Sequence, residues 1–167
     1  MTEGERKLPI CDICAKTGLL CSACESKLSG GRITELDVEL SRILYELTGG
    51  EIGFERAIDI KDFVIILANK GDLGKVIGKS GSNIRVISSK LGKQVRVIGT
   101  GNIRDMIYDL LAPARISGVN KVFKPDGSTF QRVRISKKDQ GKLRMSIEDV
   151  SKIVSSLSEE KIEISLE

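Results

Sequence analysis

The chain has 167 residues, a formal net charge of +4 and 40% hydrophobic residues, enough for one ordinary domain or two small ones with real cores. Its longest apolar run, Phe63–Ala68, is too short for a membrane span, and its polar start, Met1–Lys7, is unlike a signal sequence. We therefore expect a cytoplasmic protein with no membrane partner. The sequence has no histidine, which removes the usual general base and every Ser-His or Cys-His nucleophile, so an enzyme is disfavoured.

Two Cys-x-x-Cys pairs, separated by six residues, lie near the start of the chain: Cys11, Cys14, Cys21 and Cys24. Four thiolates at this spacing are typical of a tetrahedral Zn²⁺ site, and a site filled entirely by protein ligands is structural. Disulfides and an iron–sulfur cluster are the alternatives, disfavoured by a reducing cytoplasm and by the spacing, respectively. Because Ser29-Gly30-Gly31 is typical of a flexible joint, we predict a separate zinc-binding module over residues 1–30.

The next segment has the periodicities of a small α+β unit. Its first helix is predicted to begin at the cap residue Thr34 and to end before Gly49. Two strands on either side of Lys61-Asp62 are predicted to pair antiparallel, followed by two helices around a glycine loop and by a third strand. The elements after the first helix cover residues 52–60, 63–68, 72–77, 82–91 and 94–98.

The rest of the chain repeats this order of elements, which predicts an internal duplication. The predicted elements are a helix over 103–112, strands over 115–123 and 129–136, helices from Lys138 and Glu148, and a strand over 162–166. No glycine occurs in the loop of this copy, near residues 144–148, so its phosphate-binding ability is predicted to be lost. Its last stretch, Ile147–Glu167, has a net charge of −4, and we expect a scaffold or a protein-binding surface there.

The loop of the first copy, Gly78-Lys79-Ser80-Gly81, indicates a function most directly. Its two glycines let the backbone turn tightly and leave the amides before the next helix open to a phosphate. Residues 70–96 hold seven basic residues against Asp72 alone, so positive charge is concentrated here. This pattern predicts a grip on single-stranded RNA, and since only 4% of residues are aromatic we expect backbone and aliphatic contacts rather than stacking platforms.

The same segment has less specific interpretations. A nucleotide-binding P-loop also ends in Gly-Lys-Ser, but its first glycine would stand where the chain has Leu73, and this loop follows a helix rather than a strand. Two glycines near helix ends are often only a cap and a turn, and lysines on a helix are often only a solvated face. The neighbours Val76, Ile77 and Ile84 are by default core residues; the alternative is an apolar floor for bases.

The run Val76–Ile84 resembles the signature of KH domains, and the order of elements over residues 33–99 resembles the type II arrangement. Leu110–Val119 is similar to the start of the second KH domain of NusA-type transcription factors, so the tandem resembles the archaeal NusA-like group. That resemblance implies RNA binding linked to transcription elongation or termination, with a loop that clamps about four nucleotides. The residues that carry over are Gly78, Lys79, Ser80 and Gly81.

The sequence thus predicts an α+β fold of two tandem type II KH-like units, residues 33–99 and 100–167, preceded by the zinc module. We expect a non-enzymatic factor that binds single-stranded RNA, a nascent transcript, together with RNA polymerase. The alternatives are a ribosome-associated translation or assembly factor on ribosomal RNA, and a protein adaptor that uses the zinc module while its RNA binding is vestigial. The predicted RNA contacts are Gly78, Lys79, Ser80, Gly81, Lys75, Val76, Ile77, Ile84 and Arg85.

Overall fold

The computed structural model describes residues 8–60, 63–101, 103–143, 145–157 and 161–167. The predicted Lys61-Asp62 turn, and Arg144 in the second loop, lie outside the described residues. The chain divides into two compact units, Met1–Thr100 and Gly101–Glu167. Among the described helices, none has both the length and the apolar character that a membrane crossing requires.

The cysteine module, defined here as residues 8–30, contains two short helices, α1 (Asp12–Thr17) and α2 (Ser22–Ser29). Each helix begins directly after a cysteine, so Cys11 and Cys21 occupy the N-cap positions. The module shares one hydrophobic core with the first unit, to which it contributes five buried residues: Leu8, Ile10, Cys14, Ala15 and Cys24. The cysteine module is therefore packed onto that unit.

The first long helix, α3, spans Glu35–Thr48 and has the start and stop that the sequence predicts. The hydroxyl of Thr34 accepts from the Asp37 amide while the Asp37 carboxylate accepts from the Thr34 amide, which forms a capping box. Gly49 closes the helix in the left-handed conformation, with φ of 67°. The buried face of α3 supplies Val38, Leu40, Ile43 and Leu44 to the core.

Three strands form the sheet of the first unit: β1 (Arg56–Ile60), β2 (Phe63–Ala68) and β3 (Gln94–Gly99). Strand β2 lies in the centre, antiparallel to β1 and parallel to β3. The antiparallel pairing is confirmed, but the first strand begins at Arg56 rather than Ile52. Ile52 and Phe54 are buried without being part of the ladder, because apolar residues indicate burial and not hydrogen-bond partners.

The parallel crossover from β2 to β3 carries the glycine loop. It consists of α4 (Leu73–Ile77), a 3₁₀ turn (Lys79–Gly81) and α5 (Ser82–Leu91), which ends at Gly92. The predicted bounds of the second of these helices are confirmed. The glycine loop therefore lies between the end of α4 and the start of α5.

The second unit repeats the same topology. Its elements are α6 (Ile103–Leu111), β4 (Ile116–Phe123), β5 (Thr129–Ile135), a 3₁₀ helix (Lys137–Lys142), α7 (Ile147–Leu157) and β6 (Lys161–Leu166). Strand β5 is central, antiparallel to β4 and parallel to β6, as β2 is in the first sheet. The internal duplication is confirmed, although the helix predicted from Lys138 is of the shorter 3₁₀ type.

Candidate nucleic-acid interface and metal centre

The glycine loop has an unusual backbone. Gly78, Ser80 and Gly81 all have positive φ, at 79°, 56° and 74°. Ser80 is the one non-glycine residue with positive φ in the described part of the chain. The conformation is costly for residues with a Cβ, so a position that keeps it indicates a local requirement for this shape.

Gly78 is required by packing as well as by its dihedral angle. A Cβ on Gly78 would lie 2.8 Å from the Asn83 amide nitrogen, and 2.8 Å from both Asn83 Cγ and Ser82 Oγ. The space is used by the Asn83 side chain, whose Nδ2 donates to the Lys75 carbonyl at 3.0 Å. This hydrogen bond runs from α5 back to α4 and braces the loop between them. A Cβ on Gly81, in contrast, would meet nothing within 4 Å.

The start of α5 is open to an anion. Gly81 is its N-cap, and no side chain accepts a hydrogen bond there. The amides and dipole of a helix start favour negative charge, and the exposed side chains of Lys79 and Ser80 stand beside it. The loop can therefore bind a phosphate by backbone, hydroxyl and ammonium groups together.

The residues beside the loop divide by exposure. Lys75 and Arg85 are exposed, and Ile77 and Ile84 are half-buried, so each has surface available to a ligand. Val76 has no exposed surface and belongs to the core. The apolar floor proposed from the sequence is therefore limited to Ile77 and Ile84, while Val76 supports the loop from inside.

At least two of the seven basic residues around the loop are paired with acids. Lys90 contacts the Glu46 carboxylate at 2.9 Å, and Lys93 contacts that of Asp59. Within the described residues, Lys75, Lys79 and Arg85 have no ion pair. The charge available to a ligand is therefore concentrated at the loop itself and is smaller than the count of residues suggests.

This geometry does not occur in the described residues of the second unit. Between its 3₁₀ helix and α7, none of the described residues has positive φ. Met145 is buried, and the Ser146 hydroxyl accepts from the Asp149 amide at 3.1 Å, so a side chain already caps the helix. Asp149 adds negative charge in the first turn. These features are those of an ordinary helix start rather than of a phosphate site.

The four cysteine sulfurs form one cluster, with all Sγ atoms within 4.8 Å of one another. None of the four is in a disulfide. Bonds from zinc to sulfur of about 2.3 Å would place tetrahedral sulfurs about 3.8 Å apart, which lies within this limit, so the four sulfurs could hold a metal ion such as zinc. Cys14 and Cys24 are buried, whereas Cys21 is exposed.

The surroundings of the sulfurs differ. Burial raises the pKa of the Cys14 thiol to about 12, and burial also raises the pKa of Cys24. The backbone amide of Cys24 lowers the pKa of Cys21 to about 6. Backbone amides also donate to two of the sulfurs, from Cys21 to Cys14 at 3.1 Å and from Cys11 to Cys24 at 3.4 Å. Such donors stabilise metal-bound thiolates, so the cluster could hold a metal ion with four thiolate ligands.

A family model described as "KH domain" matches residues 30–124, more than half of the sequence. The chain belongs to the KH domain family. The match begins at the end of the cysteine module and includes the whole first sheet together with β4. KH domains bind single-stranded RNA, so family membership supports RNA binding by the unit that holds the glycine loop.

Among solved structures, the crystal structure of APE1850 is similar to this chain with a TM-score of 0.58 and 22% sequence identity. The similarity covers 74% of this chain and 93% of that one, so it extends beyond the first unit into the second. At this identity the similarity shows the fold alone. Comparison with curated proteins gives no match.

Two features of these surfaces were not predicted from the sequence. Asn83 braces the loop, and its position directly after Gly81-Ser82, at the start of a helix, was the available signal. Phe123 is 74% exposed on the β4–β5 hairpin, and the alternation Lys-Val-Phe-Lys before the Pro125-Asp126-Gly127 turn was the signal for it. Low overall aromatic content obscured this local exception.

Proposed function

We propose that the protein is a non-enzymatic RNA-binding factor that holds single-stranded RNA at its first KH unit. The observation that carries the proposal is the open, positively charged loop from Gly78 to Gly81, braced by Asn83 in a family of RNA-binding modules. The loop amides and Lys79 contact the phosphates of about four nucleotides.

The flanking residues complete the binding surface. Ile77 and Ile84 offer apolar surface to the bases, and Lys75 and Arg85 extend the positive charge along the strand. With backbone and aliphatic contacts in this role, selectivity for sequence is modest and the phosphates dominate the affinity. Zn²⁺ bound by Cys11, Cys14, Cys21 and Cys24 stabilises the fold of the cysteine module and takes no part in chemistry.

The resemblance to the NusA-like group supports a role in transcription. A tandem of KH units in which, among the described residues, the loop geometry occurs in the first unit alone suits a cytoplasmic, archaeal NusA-like factor that holds a nascent transcript beside RNA polymerase. The second unit and the cysteine module then serve protein contacts. The alternative role for an RNA-binding factor is at the ribosome, with ribosomal RNA as the ligand.

Crosslinking of the tagged protein in its own cells distinguishes the role in transcription from the role at the ribosome. Bound RNA is sequenced while co-purified proteins are identified, and a Lys79→Asp/Ser80→Asp variant defines the background from contacts outside the loop. Nascent transcripts with polymerase subunits are the expected result. Ribosomal RNA with ribosomal proteins would reject the transcription role but not RNA binding.

A second candidate, a protein adaptor, is favoured by one observation in the cysteine module. Ile13 and Leu19 are 72% and 77% exposed, although they lie close to the buried cysteines. Exposed aliphatic side chains on a metal-stabilised module suit contact with a protein partner. An Ile13→Asp/Leu19→Asp variant would lose that partner while retaining full RNA affinity; if both variant and wild type recover the same proteins, the adaptor role is rejected.

A further inference from the structure

The last strand of the second sheet has an open edge. Strand β6 pairs with β5 on one side, and in the described part of the chain no strand pairs with its other side. A groove of about 540 Å³ follows the strand, since its lining includes every residue from Lys161 to Glu167. Proteins usually interrupt or cover such edges, because an unpaired edge attracts further strands. The pairing of β4, at the opposite edge, is interrupted between Ile116 and Gly118, whereas the register of β6 is continuous.

The backbone of β6 has groups directed away from its own sheet. The Glu167 amide donates to the Ile135 carbonyl, and the Glu167 carbonyl accepts from the Lys137 amide, both at 2.8 Å. The backbone of Glu167 is thus turned towards β5, and because successive residues of a strand alternate, so are those of Glu163 and Ser165. The amides and carbonyls of the alternate residues project to the open side, where an added strand would meet them: Ile162, Ile164 and Leu166.

The sequence of β6 is complementary to itself in the antiparallel direction. When two copies pair with Ile164 opposite Ile164, Lys161 lies opposite Glu167 at both ends of the pairing. The outward amides and carbonyls of the two strands then also face one another. A slide of two residues in either direction places Glu163 opposite an acid, either its own copy or Glu167. Opposite charges across a strand pair stabilise it and like charges destabilise it, so charge selects this register.

A buried hydroxyl supports the same register. The Ser165 Oγ atom is buried and has no hydrogen-bond partner among the described residues. With Ile164 opposite itself, Ser165 lies opposite Glu163 of the second copy in a non-hydrogen-bonded pair, whose Cα atoms are about 4.5 Å apart. A carboxylate at that separation can accept from the hydroxyl. Glu163 also faces Arg132 of its own sheet at 3.9 Å, so its charge is partly compensated before a second copy binds.

We propose that two copies of this chain associate by pairing their β6 strands antiparallel, about a two-fold axis at Ile164. The two three-stranded sheets then form one sheet of six strands. RNA is a poor match for this edge, because the stretch Ile147–Glu167 has a net charge of −4. An unrelated extended peptide matches the outward backbone groups, but the order of Lys161 and Glu167 matches β6 itself. The inference goes beyond RNA binding and does not depend on it.

The test is the mass of the full chain in solution, measured by sedimentation velocity with a reducing agent. Low ionic strength is used because exposed charge pairs are then screened least. Since one strand pair is a small interface, the mass of the wild type is expected to rise from 18.2 kDa towards twice that value between about 1 and 300 µM. Lys161→Glu and Glu167→Lys each place like charges at both ends of the pairing. Each is expected to raise the dissociation constant of the dimer by about tenfold or more.

A mixture of these two variants distinguishes β6 pairing from other contacts. One variant offers two acids and the other two lysines, so an equimolar mixture regains both opposite-charge pairs and should dimerise about as tightly as the wild type. Lys152→Glu makes the same charge change at an exposed position of α7 outside the groove, and as the matched control it should dimerise like the wild type. A monomeric wild type, or a dimer that neither Lys161→Glu nor Glu167→Lys weakens, would overturn the proposal and leave RNA binding by the loop untouched.

Discussion

The Asn83 side chain donates to the Lys75 carbonyl at 3.0 Å and so joins the two helices on either side of the glycine loop. The contact depends on Gly78, because a Cβ at that position would occupy the space of Asn83 and Ser82. The loop therefore owes its shape to a side chain that is placed behind it, as well as to its own glycines.

Asn83→Ala should weaken RNA binding without unfolding the protein. The variant lacks one hydrogen bond worth about 0.5–1.5 kcal/mol, so the loop adopts its binding conformation less often. We therefore expect affinity for single-stranded RNA to fall by about twofold to tenfold. Fluorescence anisotropy measures the effect. Ser89→Ala, at an exposed position further along α5, is the matched control; an equal loss in both variants would show that Asn83 has no special role.

Substitutions of the two glycines should differ in cost. Gly78→Ala and Gly81→Ala share the penalty of a positive φ, about 1–2 kcal/mol, but only Gly78→Ala also forces its Cβ against a backbone nitrogen. We expect the free energy of unfolding in urea to fall by at least about 1 kcal/mol more for Gly78→Ala than for Gly81→Ala. Equal losses would mean that the packing around Gly78 adjusts freely.

Removal of zinc should destabilise more than the cysteine module. Cys14 and Cys24 belong to the core that α3 and β2 also share, so loss of a structural ion worth on the order of 10 kcal/mol exposes part of that core. We expect one zinc per chain in the wild type, almost none in Cys14→Ser, and a clearly lower melting temperature for that variant. Ser22→Ala, next to a ligand but not one itself, is the control.

A cobalt-substituted sample provides a second readout of the ligand set. Four thiolates around Co²⁺ give intense sulfur-to-metal charge-transfer absorption and the visible bands of a tetrahedral ion. A structural zinc site would be contradicted if the wild type is purified in folded form without metal. It would also be contradicted if treatment with a chelator leaves the melting temperature unchanged.

Asp37 should be among the most important polar residues for stability. Its buried carboxylate accepts from the Thr34 amide at 2.9 Å and from the Ala57 amide at 2.8 Å, so it connects the start of α3 to β1. Asp37→Ala leaves both donors without an acceptor, and we expect a loss of about 2–4 kcal/mol in the free energy of unfolding. Asp37→Asn keeps one carbonyl oxygen and should lose about half as much; a loss below about 0.5 kcal/mol in Asp37→Ala would contradict this role.

Local signals predicted most of the fold. Thr34, Asp37 and Gly49 mark the ends of α3 by capping chemistry, and the bounds of α5 follow from its apolar period and Gly92. These features depend on neighbours within a few residues, which the sequence displays directly. The duplication also followed from the order of the elements alone.

The remaining features depend on contacts between distant residues. The start of the first strand was misplaced because Ile52 and Phe54 are buried by tertiary packing and not by strand pairing. The burial of Val76, the brace from Asn83 and the pairing of Lys93 with Asp59 are likewise set by three-dimensional neighbours. The residue types of the candidate site could therefore be predicted from the sequence. Which of those residues are exposed to a ligand, and which hold the loop in place, could not.

The most direct test of RNA binding by the loop is the affinity of the full-length Lys79→Asp/Ser80→Asp variant for a single-stranded uridine 20-mer. Both side chains are exposed, and Asp tolerates the left-handed conformation of Ser80, so the change adds charge without disturbing the backbone. Lys137→Asp/Gln140→Asp makes the same change in net charge at exposed positions of the second unit. The wild type should bind with a salt slope of about −3 for four phosphates, and only the loop variant should lose about a hundredfold in affinity. Equal affinity of the loop variant and the wild type would contradict the account.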